Sequence, residues 1–391
     1  MLENQMVQTS MPNGTEVDLG LYVHIPFCAK RCHFCAFYLV MHQDQRVEQF
    51  LHALEAECSL YSGHPSFAGR RISTVYIGGG TPTVLSSAQL SGLLLGIAQG
   101  FSLTKGCEVT VEATPESLTA ASVERLQQAG VTRLSLGVQS FDPQERSRLG
   151  LSGTKEQVLA GIQSIKQAGL SNFNLDLLFG IPGQSIQSWD RTLTQACDQN
   201  PSHLSCYALT LEEGTRFQTE VRRGLLDMME PEKEWVFQQR AIERLDAMGY
   251  QQYELSNWAK PGQACAHNLR YWNGQEYLGL GPSAQSYVGG NHFGNVPSLE
   301  QYCLQLQKGQ FPIAEQETLS THQQEKERVV FGLRLLDGVP RDWVASLGHD
   351  QCWFTSFKIL MEEEYLTQTS SRVCLTPKGR QFADTVGMRL L

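Results

Sequence analysis

Leu21 to Tyr38 reads LYVHIPFCAKRCHFCAFY, a short apolar run that leads into Cys28, Cys32 and Cys35 at the spacing C-x3-C-x2-C. Thiolates this close together on a loop can converge on one metal centre. On a four-iron cluster, three thiolates leave one iron without a protein ligand and open to a substrate or cofactor. Zinc is the rival: it takes four ligands, or three and a water, and His24 or His33 can supply the fourth. A buried trio without metal is the third reading. Spacing alone leaves all three open.

The rest of the chain bounds the setting. Its 391 residues can hold one large domain and a smaller one, and 41% hydrophobic with 18% charged residues is ordinary for a globular protein. A net charge of −9 and a pI near 5.6 give no electrostatic footprint for nucleic acid. Eleven cysteines, three of them clustered, fit a reducing cytoplasm and a metal site better than a disulfide scaffold. There is no apolar stretch of membrane-spanning length, and residues 1–18 read as a loose polar tail rather than a signal.

From Leu21 onward strand-like and helix-like runs alternate. Strands are expected at Leu21 to Pro26, Ile72 to Ile77, Glu108 to Ala113, Arg133 to Gln139, Asn172 to Phe179 and His203 to Thr210, each followed by a helical pattern. Six successive units imply parallel pairing with right-handed crossovers, in an open, curved sheet. Polar groups collect where the strands end: Gly78-Gly79-Gly80-Thr81, Glu112, Gln139 and Asp176. In barrels of this kind the chemistry sits at those ends.

The C-x3-C-x2-C loop after Tyr-Val-His-Ile-Pro-Phe, followed one strand later by the glycine run, resembles the radical S-adenosylmethionine (SAM) superfamily. More narrowly it is similar to the branch of oxygen-independent coproporphyrinogen oxidases and their haem-chaperone relatives. The resemblance implies an α/β fold with a partial (β/α)6 barrel. It also implies a 4Fe-4S cluster on Cys28, Cys32 and Cys35 whose open iron chelates SAM, and SAM contacts from Tyr22, Phe34, Gly78, Gly79, Gly80, Thr81, Glu112, Gln139 and Asp176. Taken alone, Tyr22 and Phe34 read as core, the glycines as a strand-ending turn, and Asp176 as either a ribose partner or a strand-end charge.

Two departures matter. The coproporphyrinogen oxidases continue the motif with a further cysteine where this chain has Phe37. The family's arginine twelve residues after the Gly-Val-Gln glutamine is Leu151 here, with Arg146 and Arg148 nearby to take its place. Phe37 places the chain nearer the haem-chaperone branch.

Residues 19–250 are thus expected to form the barrel and 251–320 a connecting region. In the latter, Cys265-Ala-His-Asn-Leu-Arg-Tyr-Trp272 resembles the haem-chaperone H-N-x-x-Y-W segment. His267 is the candidate axial ligand, with Cys265 as alternative; a hydrogen-bonded core histidine is the competing reading. Residues 321–391 read as a small helical unit with a short hairpin at Tyr365 to Leu375, in an order like a winged helix. The acidic Glu362 to Glu364 argues for a lid or a partner-docking surface rather than nucleic acid. The function expected is haem carriage to an acceptor protein, with oxidative decarboxylation of coproporphyrinogen, or haem modification, as the alternatives.

Overall fold

Alternation along six parallel strands sorts the barrel into a polar inside and an apolar outside. The computed structural model describes residues 18–391, so the tail expected at 1–18 lies, but for Asp18, outside the described residues. The strands are β1 (Leu19–Ile25), β2 (Arg71–Gly79), β3 (Ser102–Ala113), β4 (Arg133–Gln139), β5 (Phe173–Phe179) and β6 (His203–Ala208). On β1, Leu19, Leu21, Val23 and Ile25 are fully buried and join one core with Val47, Phe50 and Leu54 of helix α1 (Asp44–Ser62). Successive side chains point to opposite faces, so Tyr22 and His24 turn inward.

The register carries this rule from strand to strand. Tyr22 pairs with Tyr76, Tyr76 with Thr110, Thr110 with Arg133, Glu112 with Ser135, Gly137 with Asp176, and Asp176 with Ser205. Paired residues share a face, so the polar members of six strands, distant in sequence, line one interior.

Crossover helices α2 (Ser87–Gly100), α3 (Ala120–Gln128), α4 (Pro143–Leu149), α5 (Lys155–Gln167) and α6 (Ile186–Asp198) cover the outside. Ser86, Thr119, Asp142, Thr154 and Ser185 accept backbone N–H groups at their starts, which fixes where each turn ends. Within the charged segment Glu212 to Glu232, Thr215 caps a short helix, α7 (Arg216–Arg222), held down by buried Phe217. Helix α8 (Pro231–Ala247) packs on α6.

The sheet continues past both edges of the barrel to twelve strands. Beyond β6 lie β7 (Gln251–Glu254) and β8 (Asn257–Ala259), antiparallel. Beyond β1, helix α9 (Ala266–Trp272) leads into β9 (Tyr277–Leu280), which pairs parallel with β1 through Leu21 and Leu278. Strands β10 (Gln285–Val288), β11 (Asn291–Asn295) and β12 (Ile313–Thr318) extend that edge antiparallel. The region read as connecting is therefore sheet.

Residues 321–375 follow the order helix–strand–helix–helix–strand–strand of a winged helix, and two short helices, Pro377–Gln381 and Ala383–Leu390, follow. The unit begins with α11 (Thr321–Gly332), after α10 (Leu299–Gln307), and its sheet is ordered Val339–Pro340, Arg372–Leu375, Leu366–Gln368. Val329, Leu333, Trp353, Phe357 and Leu360 give this unit its own core.

Glu57 of α1 ties the β9 edge to the barrel. Its buried carboxylate accepts from Gly281 N–H (2.8 Å), Asn295 Nδ2 (2.7 Å) and Tyr302 O–H (2.6 Å). Burial, against the pull of those donors, raises its pKa from 4.5 to about 7. A raised folded-state pKa means stability that is full below pH 4.5 and is lost as pH rises toward 7. Glu57→Gln should flatten this trend. In urea titrations from about pH 5 to about pH 8, wild type should lose on the order of 3 kcal/mol relative to the variant. Parallel pH profiles for the two proteins would refute the assignment.

Candidate functional site

Close approach of two backbones seats the cysteine loop at the mouth of the barrel. The Gly80 and Thr81 N–H groups donate to Ile25 and Phe27 carbonyls, each at 2.8 Å. A Cβ on Gly80 would lie 2.6 Å from the Phe27 carbonyl oxygen and 3.0 Å from Cys28 Sγ. Only glycine fits there. Thr81 Oγ1 sits 3.4 Å from Cys28 Sγ. A Cβ on Gly78 would meet the Glu112 carboxyl at 2.9 Å, and Gly79 holds φ +114 against the His24 ring.

Cys28 is buried, while Cys32 and Cys35 are partly exposed and all three are free thiols. Burial and mutual repulsion push Cys32 up to about 12, and burial raises Cys28 and Cys35 as well. The thiols are near enough to feel one another's charge, and a bound metal would supply the positive charge that ionises them. Among the described residues no three His, Cys, Asp or Glu side chains stand around a single ion. A cubane spreads its thiolates over separate irons and needs no such convergence.

The histidines weighed as a fourth zinc ligand are both engaged. His24 bonds the Tyr38 carbonyl (2.9 Å) and the Tyr22 hydroxyl (3.1 Å). His33 bonds the Arg148 carbonyl (2.8 Å), and its other nitrogen accepts from Arg216 (3.0 Å). Neither has a lone pair left for a metal. Phe34 and Leu151 pack together with Leu149, Ile181 and Phe217, so leucine at 151 serves an apolar cluster. Arg146 cannot stand in for the missing arginine, because its guanidinium is spent on the carbonyls of Val138 (2.8 Å), Ser140 (3.1 Å) and Ser152 (2.8 Å). Arg148 is exposed.

Below the loop the interior is acidic. Glu112 accepts from Tyr76 O–H (2.9 Å) and Gly79 N–H (3.2 Å); burial and then Asp176 raise its pKa to about 7. Asp176, raised by burial, accepts from Asn174 (2.8 Å) and Ser135 (3.1 Å). Among the described residues neither carboxylate is in an ion pair, so a cationic ligand would lower the energy of both. Gln139 ends β4 at a bulge with φ +65, an uncommon conformation for a side chain, and its amide folds back over Gly137. Donor thiols, a cradle without Cβ atoms and unpaired acids fit a 4Fe-4S cluster with the sulfonium and ammonium of SAM.

The H-N-x-x-Y-W helix lies at the other end of the barrel. Glu108, at the strand's near end from Glu112, caps α9 through the N–H groups of Ala266 and His267, each at 3.1 Å. The sequence pattern passes over Glu108; only the Glu-x-x-x-Glu alternation on β3 hints that it faces inward. His267 is buried, bonded to Thr74 Oγ1 (2.8 Å) and Tyr271 O–H (2.9 Å) and stacked on Tyr76. Burial, Arg270 and Arg133 lower its pKa to about 3. Cys265 is fully buried beside Glu108. In this structure, then, neither candidate haem ligand has a free face, and His267 acts as the floor's hydrogen-bonded core histidine. A cavity of about 530 Å³ opens beside the motif's Tyr271 and Trp272.

Residues 22–196 match the Radical SAM superfamily model. The barrel and its cysteine loop thus belong to the class defined by a 4Fe-4S cluster and SAM. The solved coproporphyrinogen III oxidase of Escherichia coli, described as a radical SAM enzyme, superposes with a TM-score of 0.83 at 25% identity, over 96% of this chain and 90% of that one. The Heme chaperone HemW of Bacillus subtilis is 33% identical over 93% of this chain and 97% of its own, and that of Escherichia coli 37% identical over 69% and 70%. The HemW of Mycobacterium tuberculosis H37Rv is 32% identical over 95% and 94%. The chain belongs to the HemW family.

Gly80→Ala tests the cradle. It should displace Cys28 and lower the iron and sulfide retained after anaerobic reconstitution. Gly92→Ala, on the open face of α2, meets nothing within 4 Å and should leave iron unchanged while adding about 0.5–1 kcal/mol of stability. Equal iron content in both variants would count against the close approach.

Proposed function

We propose that this protein holds a 4Fe-4S cluster on Cys28, Cys32 and Cys35, binds SAM at the barrel mouth, and carries haem to an acceptor protein. When bound, the cluster and SAM supply one-electron reductive chemistry at the sulfonium. The chain's own part is to receive and screen them. Glu112 and Asp176 offer negative charge to the cationic cofactor, with Asp176 placed for ribose hydroxyls. The backbone of Gly78 to Thr81 comes close to the methionyl end, Tyr22 and Phe34 flank the loop, and Gln139 donates or accepts beside it.

One observation carries the choice of carriage over catalysis. The family's H-N-x-x-Y-W helix and its cavity form the barrel's floor, across the interior from the cysteine loop. Tyr76, stacked on His267 and bonded to Glu112, stands between the two ends and screens a porphyrin held there from a group generated at the mouth. Phe37, 68% exposed at the lip of the loop, stands where the oxidases have their further cysteine, which also speaks against coproporphyrinogen decarboxylation. On this reading residues 19–250 serve the cofactors, 251–320 together with α11 the cargo, and the rest of 321–391 the docking of the acceptor. The described cysteines are all unpaired thiols, in keeping with a reducing cytoplasm, and no described helix is long and apolar enough to cross a membrane.

Anaerobic haem titration with and without SAM tests the proposal: a Soret band should saturate at one haem per chain, and its absence would end the reading. Cys32→Ala should lose cluster iron and sulfide. Glu112→Gln with Asp176→Asn should weaken SAM binding by roughly ten- to a hundredfold without loss of iron. Protoporphyrinogen formed from coproporphyrinogen by the reduced protein would favour the oxidase instead.

A further inference from the structure

The cavity at the barrel's floor has two unlike walls. One comes from the end of α9 and the β9–β11 edge, the other from α11 of the winged-helix unit. Five Tyr, Trp and Phe rings line it, Tyr271, Trp272, Tyr277, Tyr287 and Phe331, among polar residues that include Glu276, Glu325 and Glu327. Flat apolar rings suit a flat ligand, and Phe331 stays 36% exposed, without enough protein to cover it.

Two side chains in this lining suit an iron porphyrin. His292, half-buried on β11, lies against the Tyr287 ring with centroids 4.7 Å apart, and its Nε2 is 2.8 Å from Glu327 Oε2 on α11. A carboxylate at one ring nitrogen fixes the proton there and leaves the lone pair on the other, the arrangement that turns imidazole into a metal ligand. Nδ1 has no hydrogen-bond partner among the described residues. Arg328, next to Glu327, rests its guanidinium 3.6 Å from the centroid of Trp343 and faces Tyr287. Among the described residues it is in no ion pair, so it presents a cation to an anionic group. Glu276, also in the lining, is by contrast paired with Arg70 at 2.5 Å.

A cavity with five aromatic rings, an imidazole backed by a carboxylate, and an arginine in no ion pair together describe a site for an iron porphyrin with acidic side chains. We propose that this cavity is the haem site, with His292 as axial ligand, Glu327 as its positioning residue and Arg328 as the partner of a propionate. The inference rests on the haem-carrying reading above and gives that reading an address. It also accounts for the H-N-x-x-Y-W motif, since His267 holds Tyr271 through their 2.9 Å hydrogen bond, and with it the turn that presents Trp272 to the cavity. His267 is then a positioning residue, and the ligand lies elsewhere on the chain.

Ferric haem titrated into the full-length chain separates the possibilities. His292→Ala should weaken binding and move the Soret maximum, and added imidazole should restore the wild-type band. Glu327→Gln should keep the band but weaken binding by about tenfold or more. Arg328→Ala should weaken haem yet leave the haem dimethyl ester, which lacks the charge, bound as in wild type. His267→Ala should lower the melting temperature and leave the Soret position unchanged. If wild type and His292→Ala share one affinity and one Soret position, while circular dichroism shows both folded, the site is wrong and haem carriage still stands. If wild type itself gives no Soret band, haem carriage and the site fall together.

Discussion

Parallel strands in register obey one constraint on which this molecule depends: a residue and its partner on the next strand face the same side. Apolar residues at Leu21, Val75, Val111, Leu136, Leu175 and Leu204 therefore all meet the helices. Tyr22, Tyr76, Glu112, Asp176 and Ser205 all meet one another inside. The outside holds the fold through buried apolar area. The inside can be polar because many of its groups satisfy each other, as Asn174 does between Ser135, Asp176 and His203, while Thr110 Oγ1 and Arg133 Nε have no partner among the described residues. A slip of one residue in β3, β4 or β5 would bury a charge among leucines.

That polar interior has two ends with different chemistry. At the mouth, glycines let the cysteine loop come against β2, and Glu112 and Asp176 are in no ion pair among the described residues, Arg133 acting on them only from a distance. At the floor, Glu108 caps α9, Arg133 is fully buried near Glu108 and Cys265, and His267 is locked between Thr74 and Tyr271. The mouth is poised for a cation and the floor is closed by its own hydrogen bonds. On the proposed reading the cofactor takes the mouth and the cargo the cavity beside the floor, with Tyr76, stacked on His267 and bonded to Glu112, between them.

The same separation explains the two departures from the oxidase pattern. Leu151 where an arginine is usual does not leave a hole, because it joins Phe34, Leu149 and Phe217 in an apolar cluster beside the cysteine loop. Arg146, the near substitute in sequence, is turned to backbone carbonyls and stabilises the loop after α4. The mouth therefore meets its ligand with acids and backbone rather than with a guanidinium.

Local pattern was enough for the six barrel strands, the crossover helices and the late hairpin, because alternation and helical spacing are properties of neighbours in the chain. Cys28, Cys32, Cys35 and the glycine run were legible for the same reason: their meaning lies in spacings of a few residues. The seventh parallel strand was not, since Tyr277–Leu280 joins β1 across more than two hundred residues of chain and shows only a short apolar run. Nor could sequence tell that His267 spends both ring nitrogens on Thr74 and Tyr271, or that His292 meets Glu327 from another element. A histidine's free lone pair depends on partners that arrive from distant segments. Residue type and spacing name the groups able to bind; tertiary packing decides which of them still have a valence to offer.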